Sequence, residues 1–125
     1  MFILLVLSVS LAQNAFKPPV NGPAWSDAAG WDLPQYYTTI RAVDFNGDGL
    51  DDLCARSSQG VICARSNGSG FDPAQQLVGF NDECCSQPEY YLTIRVLEAA
   101  NRDYYCIRAD TGPACLIRSG FSFGG

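Results

Sequence analysis

Apolar and polar positions fall into the same short rhythm twice along this chain. Apolar residues recur in segments 36–43, 53–57, 61–65 and 75–79, β-branched or aromatic in the first and third, with Asn, Asp, Gly and Ser collected between them. Alternation broken by turn residues every few positions predicts four short antiparallel strands. Laying residues 90–121 on 36–71 matches Tyr90-Tyr91 with Tyr36-Tyr37, Arg95 with Arg41, Cys106 with Cys54, Arg108 with Arg56, Gly112 with Gly60, Cys115 with Cys63, and Phe121 with Phe71. The pattern predicts an all-β chain made of one unit used twice, whose second repeat has the first three strands. Two twisted sheets of this size can pack face to face as a small pseudo-twofold sandwich. The missing outer strand is expected from Phe16-Lys17-Pro18-Pro19-Val20, which precedes the first repeat where Phe71-Asp72-Pro73 follows it, and whose prolines suit a sheet edge. Otherwise the open faces join neighbouring chains into a ring or filament.

Residues 1–12, MFILLVLSVSLA, have apolar, uncharged side chains broken only by serines and end in the small-x-small pattern Ser10-Leu11-Ala12. This predicts a secretory signal peptide cut near Gln13. The run is too short to cross a bilayer and no later stretch is long enough, so the expected product is secreted and not inserted in a membrane. It is one domain over residues 13–125, with repeats at about 25–79 and 80–125.

A domain this small has a modest core, and its six cysteines offer staples. An even count behind a secretory leader points to a complete disulfide set. Within each repeat the cysteines lie nine residues apart around a turn, which is hairpin spacing and pairs Cys54 with Cys63 and Cys106 with Cys115. Each such ring contributes ~2.5–3 kcal/mol in the chain-entropy model. Zinc is the rival use, but the chain has no C-x-x-C pair and no histidine. Cys84 and Cys85 are adjacent. With the other four paired by symmetry, a vicinal bond is favoured over crosslinks to other chains or free thiols.

Composition matters less than one loop. Asp44-Phe45-Asn46-Gly47-Asp48-Gly49-Leu50-Asp51-Asp52 places side-chain oxygens at positions one, three, five and nine, with a backbone carbonyl at seven. Calcium takes six to eight hard oxygens, and a D-x-N-x-D-G-x-x-D run supplies them from Asp44, Asn46, Asp48, Asp52 and the Leu50 carbonyl. An EF-hand would need Glu at position twelve, where this chain has Ala55, and its flanks would be helical. The loop is therefore expected to join strands; an Asx-rich turn without metal is the competing reading. The second repeat shortens this loop to EAANRDYY and lacks the oxygen ladder, so one Ca2+ is expected, with Glu98, Arg102 and Asp103 as a salt-linked substitute.

DFNGDGLDDLCAR, a glycine turn, a second cysteine strand and SNGSGF together resemble the FG-GAP/VCBS repeat of secreted and cell-surface β-propellers. The resemblance covers nearly all of residues 13–125 and is specific in the first repeat, degenerate in the second. It implies four-stranded antiparallel blades, calcium between the first two strands, and relatives that include integrin heads and some fungal lectins. Two blades cannot close a propeller, which departs from the family's ring of about seven.

Counting back from the shared Pro-x-Tyr-Tyr puts Cys85 where the first repeat has Trp31. Both are flat apolar groups, and a sugar ring packs its C–H face on such a plate while nearby polar groups take its hydroxyls. Trp31, Cys84, Cys85, Asp32, Asp82, Glu83 and Gln87 are the candidate glycan contacts. Burial in the core is the competing role for Trp31, and the favoured one for Tyr36 and Tyr90, because strand alternation buries every second side chain.

The formal net charge of −5 and the absence of a basic patch argue against nucleic acid. Arg41, Arg56, Arg95 and Arg108 recur at equivalent places, as expected of residues that bind carbonyls or acids at strand edges. Without histidine, and with no nucleophile beside a base, only a carboxylate pair such as Asp82 and Glu89 would support catalysis, so no enzyme is expected. A carbohydrate-binding module is the leading reading, a structural or adhesive protein assembling through open blade edges the alternative, and a glycosidase a distant third.

Overall fold

The computed structural model describes residues 21–77, 79–100 and 102–116. The expected leader, the strand expected from residues 16–20 and the Phe121 match lie outside them. The described chain folds as two antiparallel sheets. The first has four strands in sequence order, β1 (Arg41–Val43), β2 (Asp52–Ser57), β3 (Gly60–Ala64) and β4 (Gln75–Gln76). The second has three, β5 (Arg95–Glu98), β6 (Asp103–Ala109) and β7 (Gly112–Leu116). Among the described residues no helix is long and apolar enough to cross a membrane.

Tight turns set the register of both central hairpins. Ser57 pairs with Gly60 and Ala109 with Gly112, so Cys54 faces Cys63 and Cys106 faces Cys115. Both bonds form, and Cys84 bonds Cys85. Gly60 has φ 135°, and a Cβ there would lie 2.8 Å from the Leu77 carbonyl oxygen and 2.9 Å from that of Gly79. Glycine is thus required where β4 and its continuation cross the hairpin: Leu77 donates its N–H to the Val61 carbonyl and Val61 donates to that of Gly79.

One sequence expectation needs correction. The segment 36–43 is a strand only from Arg41; Pro34–Tyr37 forms a single helical turn, and Pro88–Tyr91 repeats it. Proline occupies the first helical positions, where its fixed φ and missing N–H suit a helix start, and this outweighs the β-propensity of the tyrosines. A threonine then locks the turn to the sheet. Thr39 Oγ1 donates to the Tyr36 carbonyl (2.6 Å) and accepts the Arg56 N–H (2.8 Å). Thr93 does the same with Tyr90 (2.6 Å) and Arg108 (2.8 Å). The arginine guanidinium lies over the turn's tyrosine ring in each repeat, at 5.4 Å for Arg56 on Tyr36 and 5.6 Å for Arg108 on Tyr90. The sequence repeat is a structural repeat at atomic detail.

The core lies where the repeats meet. Val43, Phe45, Val61 and Leu77 of the first pack with Cys85, Tyr91, Ile94, Tyr105 and Ile107 of the second. Each such side chain withdrawn from water contributes about 1.5–3 kcal/mol, and together they form the main hydrophobic term. Polar contacts fix the seam. Tyr105, fully buried, donates its hydroxyl to the Thr39 carbonyl (2.7 Å), and Arg41 reaches the Ile94 carbonyl (3.2 Å).

Candidate functional site

The β1–β2 loop organises itself through its own acids. The Asp44 carboxylate accepts the N–H groups of Gly47 and Gly49, both at 3.1 Å. Asn46 Oδ1 accepts the Asp48 N–H (3.3 Å), Asp48 Oδ1 accepts the Leu50 N–H (2.9 Å), and Asn46 donates its amide to Asp48 Oδ2 (3.2 Å). Leu50 is exposed. Asp52 behaves differently. It is fully buried at the start of β2, where its carboxylate accepts the N–H groups of Phe45 (3.3 Å) and Ser66 (2.9 Å). Burial, aided by the charges of Asp48 and Asp44, pushes it up to about 6 against the pull of those two donors.

Among the described residues no three His, Cys, Asp or Glu side chains come together in an arrangement that would hold a metal ion. The donor at the loop's third position is an amide, Asn46, and Asp52 is buried. The donor set still suits calcium in kind, since every candidate ligand is a hard oxygen, and each carboxylate oxygen bonded to one N–H keeps a second acceptor site. The expected salt link among Glu98, Arg102 and Asp103 does not form. Asp103 is instead tied to the loop's first residue, accepting the Asp44 N–H (3.0 Å) and donating its own to the Asp44 carbonyl (2.9 Å).

A second site lies beside the Pro34–Tyr37 turn. A pocket of about 250 Å³ is lined by Ala29, Gly30, Trp31, Leu33, Tyr36, Ser57 and Ser58. A short turn at Asp27–Ala29 brings Trp31 to its wall by way of the Trp31 N–H bond to the Ser26 carbonyl. Trp31 is stacked on Trp25 (centroids 5.0 Å apart) and meets Tyr36 edge-on (6.0 Å). Behind the pocket, Asp82 joins the repeats. Its carboxylate accepts the Tyr36 hydroxyl (2.6 Å) and an Arg56 N–H (2.9 Å), and its own N–H goes to the Ser58 carbonyl (3.0 Å). The bond to Asp82 and then burial hold the Tyr36 phenol above its ordinary range. Arg56, itself fully buried, also donates to the carbonyls of Gln35, Ser57 and Phe80, the role anticipated for the recurring arginines.

The glycan candidates therefore separate. Trp31 is 9% exposed and is part of the pocket wall, so it is not an open surface plate. The Cys84–Cys85 bond is not a surface platform, because Cys85 is fully buried in the core and Cys84 packs against it. The turn Asp82–Cys85, opened by Asn81 accepting the Glu83 N–H, places Cys85 inside. Asp82 is engaged by Arg56 and Tyr36, while Asp32, Glu83 and Gln87 stay exposed at the surface outside the pocket lining. Tyr36 and Tyr90 are half-buried; Tyr91 is the turn residue that enters the core. The pocket's serines, Ser57 and Ser58, were not foreseen, since nothing local in the sequence reveals which hairpin tip faces Trp31; the Ser57 hydroxyl donates to the Gly60 carbonyl (2.6 Å). Comparison with known proteins found no matching family model, no matching curated protein and no matching solved structure.

Proposed function

We propose that this chain is a secreted, calcium-stabilised carbohydrate-binding module built from two FG-GAP/VCBS-like blades. The observation that carries the reading is the Trp31 pocket, where the aromatic residues Trp31 and Tyr36 share the lining with Ser57 and Ser58 of the β2–β3 turn. A sugar presents an apolar C–H face and a rim of hydroxyls, and this lining is complementary to both. At about 250 Å³ the pocket admits one ring of an oligosaccharide. Asp82 and Arg56 act from behind, holding the Tyr36 ring in place.

Calcium in the β1–β2 loop would be held by Asp44, Asn46, Asp48, Asp52 and the Leu50 carbonyl. It would offset the mutual repulsion of Asp44, Asp48 and Asp52, and so stiffen the link from β1 to β2. The apolar leader and three disulfides support secretion. The meander of each sheet and the loop between its first two strands support the blade assignment.

A glycan array probed with the calcium-loaded protein tests the reading, with Ala29→Phe as the control that fills the pocket from an exposed position. The expected result is selective binding by wild type and loss of it in Ala29→Phe at unchanged melting temperature. Absence of binding by wild type, or equal binding by the variant, overturns it.

A further inference from the structure

Arg56 and Arg108 are equivalent residues in unequal surroundings. Each lies over the tyrosine of its own Pro-x-Tyr-Tyr turn and reaches the carbonyl before that tyrosine, Gln35 for Arg56 and Glu89 for Arg108. Arg56 is completed by Phe80-Asn81-Asp82 from the second repeat, through the Phe80 carbonyl and the Asp82 carboxylate. Arg108 is exposed, and among the described residues, which include every Asp and Glu of the chain, no carboxylate forms an ion pair with it. Its neighbours follow suit. Val43 is buried by the second repeat, whereas its equivalent Leu97 is 53% exposed. Val61 is buried and its equivalent Pro113 exposed. The face that the first repeat covers with the second is left open on the second.

The complementary face is open on the first repeat. Tyr91 enters the joint between the repeats and is 7% exposed; its equivalent Tyr37 is 50% exposed. The counterpart of Phe80-Asn81-Asp82 is Trp25-Ser26-Asp27, again an aromatic residue, a small polar residue and an aspartate. Ser26 (φ −97°, ψ 169°) and Asn81 (φ −75°, ψ −176°) are both extended residues that open a short helical turn, and Ser26 and Asp27 are exposed. Asp27 stands one residue farther from its proline, 27 to 34 against 82 to 88.

We propose that the Arg108–Tyr90 seat of one chain receives the Trp25-Ser26-Asp27 segment of a second copy, so that chains join head to tail through the same joint that links the repeats within a chain. Asp27 takes the place of Asp82 against the guanidinium, and Tyr37 and Leu97 are buried as Tyr91 and Val43 are inside the chain. The donor and acceptor faces are different surfaces, so the contact is heterologous and propagates to a ring or an open filament.

Charge exchange tests this joint. Sedimentation velocity and native mass measurement on the full chain, without glycan, should show concentration-dependent assembly of wild type. Arg108→Asp and Asp27→Arg should each weaken it by roughly 30-fold or more, the effect of breaking a hydrogen-bonded interfacial pair. An equimolar mixture of the two variants should assemble again, because each supplies the acid or base that the other lacks, and that recovery also shows that both fold. A wild type that is monomeric at its highest soluble concentration, single variants that assemble as wild type does, or a mixture that stays monomeric each overturns the proposal.

Discussion

Asp82 shows how much of the joint rests on one carboxylate. It answers a fully buried guanidinium, and without it Arg56 keeps only carbonyls and the face of the Tyr36 ring. Breaking a fully buried pair costs about 3–5 kcal/mol, but the Asp82 side chain is 37% exposed, so water softens the loss. Asp82→Ala should therefore lower stability by about 2 kcal/mol in chemical denaturation, against at most about 0.5 kcal/mol for the exposed Arg108→Ala. Tyr36 carries a pH signature through the same group. Its folded pKa is raised above the ordinary 10.0, first by the hydrogen bond to Asp82, and burial raises that of Tyr105. Neutral phenols thus stabilise the fold, fully below pH 10.0, and that contribution is lost as pH rises through the folded values. Tyr36→Phe, which cannot ionise, should show a shallower fall in melting temperature above pH 10.0 than wild type. The recurring arginines were legible as carbonyl binders from sequence alone. That one would find its acid in the next repeat was not, because Asp82 lies 26 residues away in the chain.

Hairpins were the most legible elements, since cysteine spacing and glycine turns fix β2–β3 and β6–β7 locally. The Pro-x-Tyr-Tyr turns were not, because aromatic residues favour strands and only the proline, acting at a helix start, reverses that choice. The fourth strand shrank from 75–79 to Gln75–Gln76, though Leu77 and Gly79 still bond to Val61. Gly60 and Gly112 separate local from tertiary demands on a turn. Both have strongly positive φ, 135° and 121°, so alanine is strained at either. Only at Gly60 would the methyl also strike backbone, whereas around Gly112 nothing lies within 4 Å. Gly60→Ala should cost about 3–5 kcal/mol and Gly112→Ala about 1–3 kcal/mol, measured by denaturant midpoint at unchanged slope.

Assembly of the whole fold ties the acidic loop to both repeats. If calcium binds there, saturation at a hundred times Kd adds about 2.7 kcal/mol, which in a domain this small raises the melting temperature by roughly 10 °C or more. EDTA should remove that gain, and Asp48→Ala should melt at the EDTA temperature whether or not calcium is present. An EDTA-insensitive wild type would leave the loop a turn only. The loop's oxygen ladder could be read directly from the sequence; the burial of Asp52 and the bond to Asp103 could not, since the first depends on the Phe45 and Ser66 N–H groups closing on the carboxylate and the second on how the second sheet settles against the first. That bond has a thermodynamic consequence. Asp44 and Asp103 exchange two hydrogen bonds across 59 residues, so fraying of the loop also strips a partner from the first residue of β6. Loop and second sheet then open as one cooperative unit, and amide exchange at Asp103 should rise and fall with that at Gly47 and Gly49, reporting in one repeat an event that begins in the other.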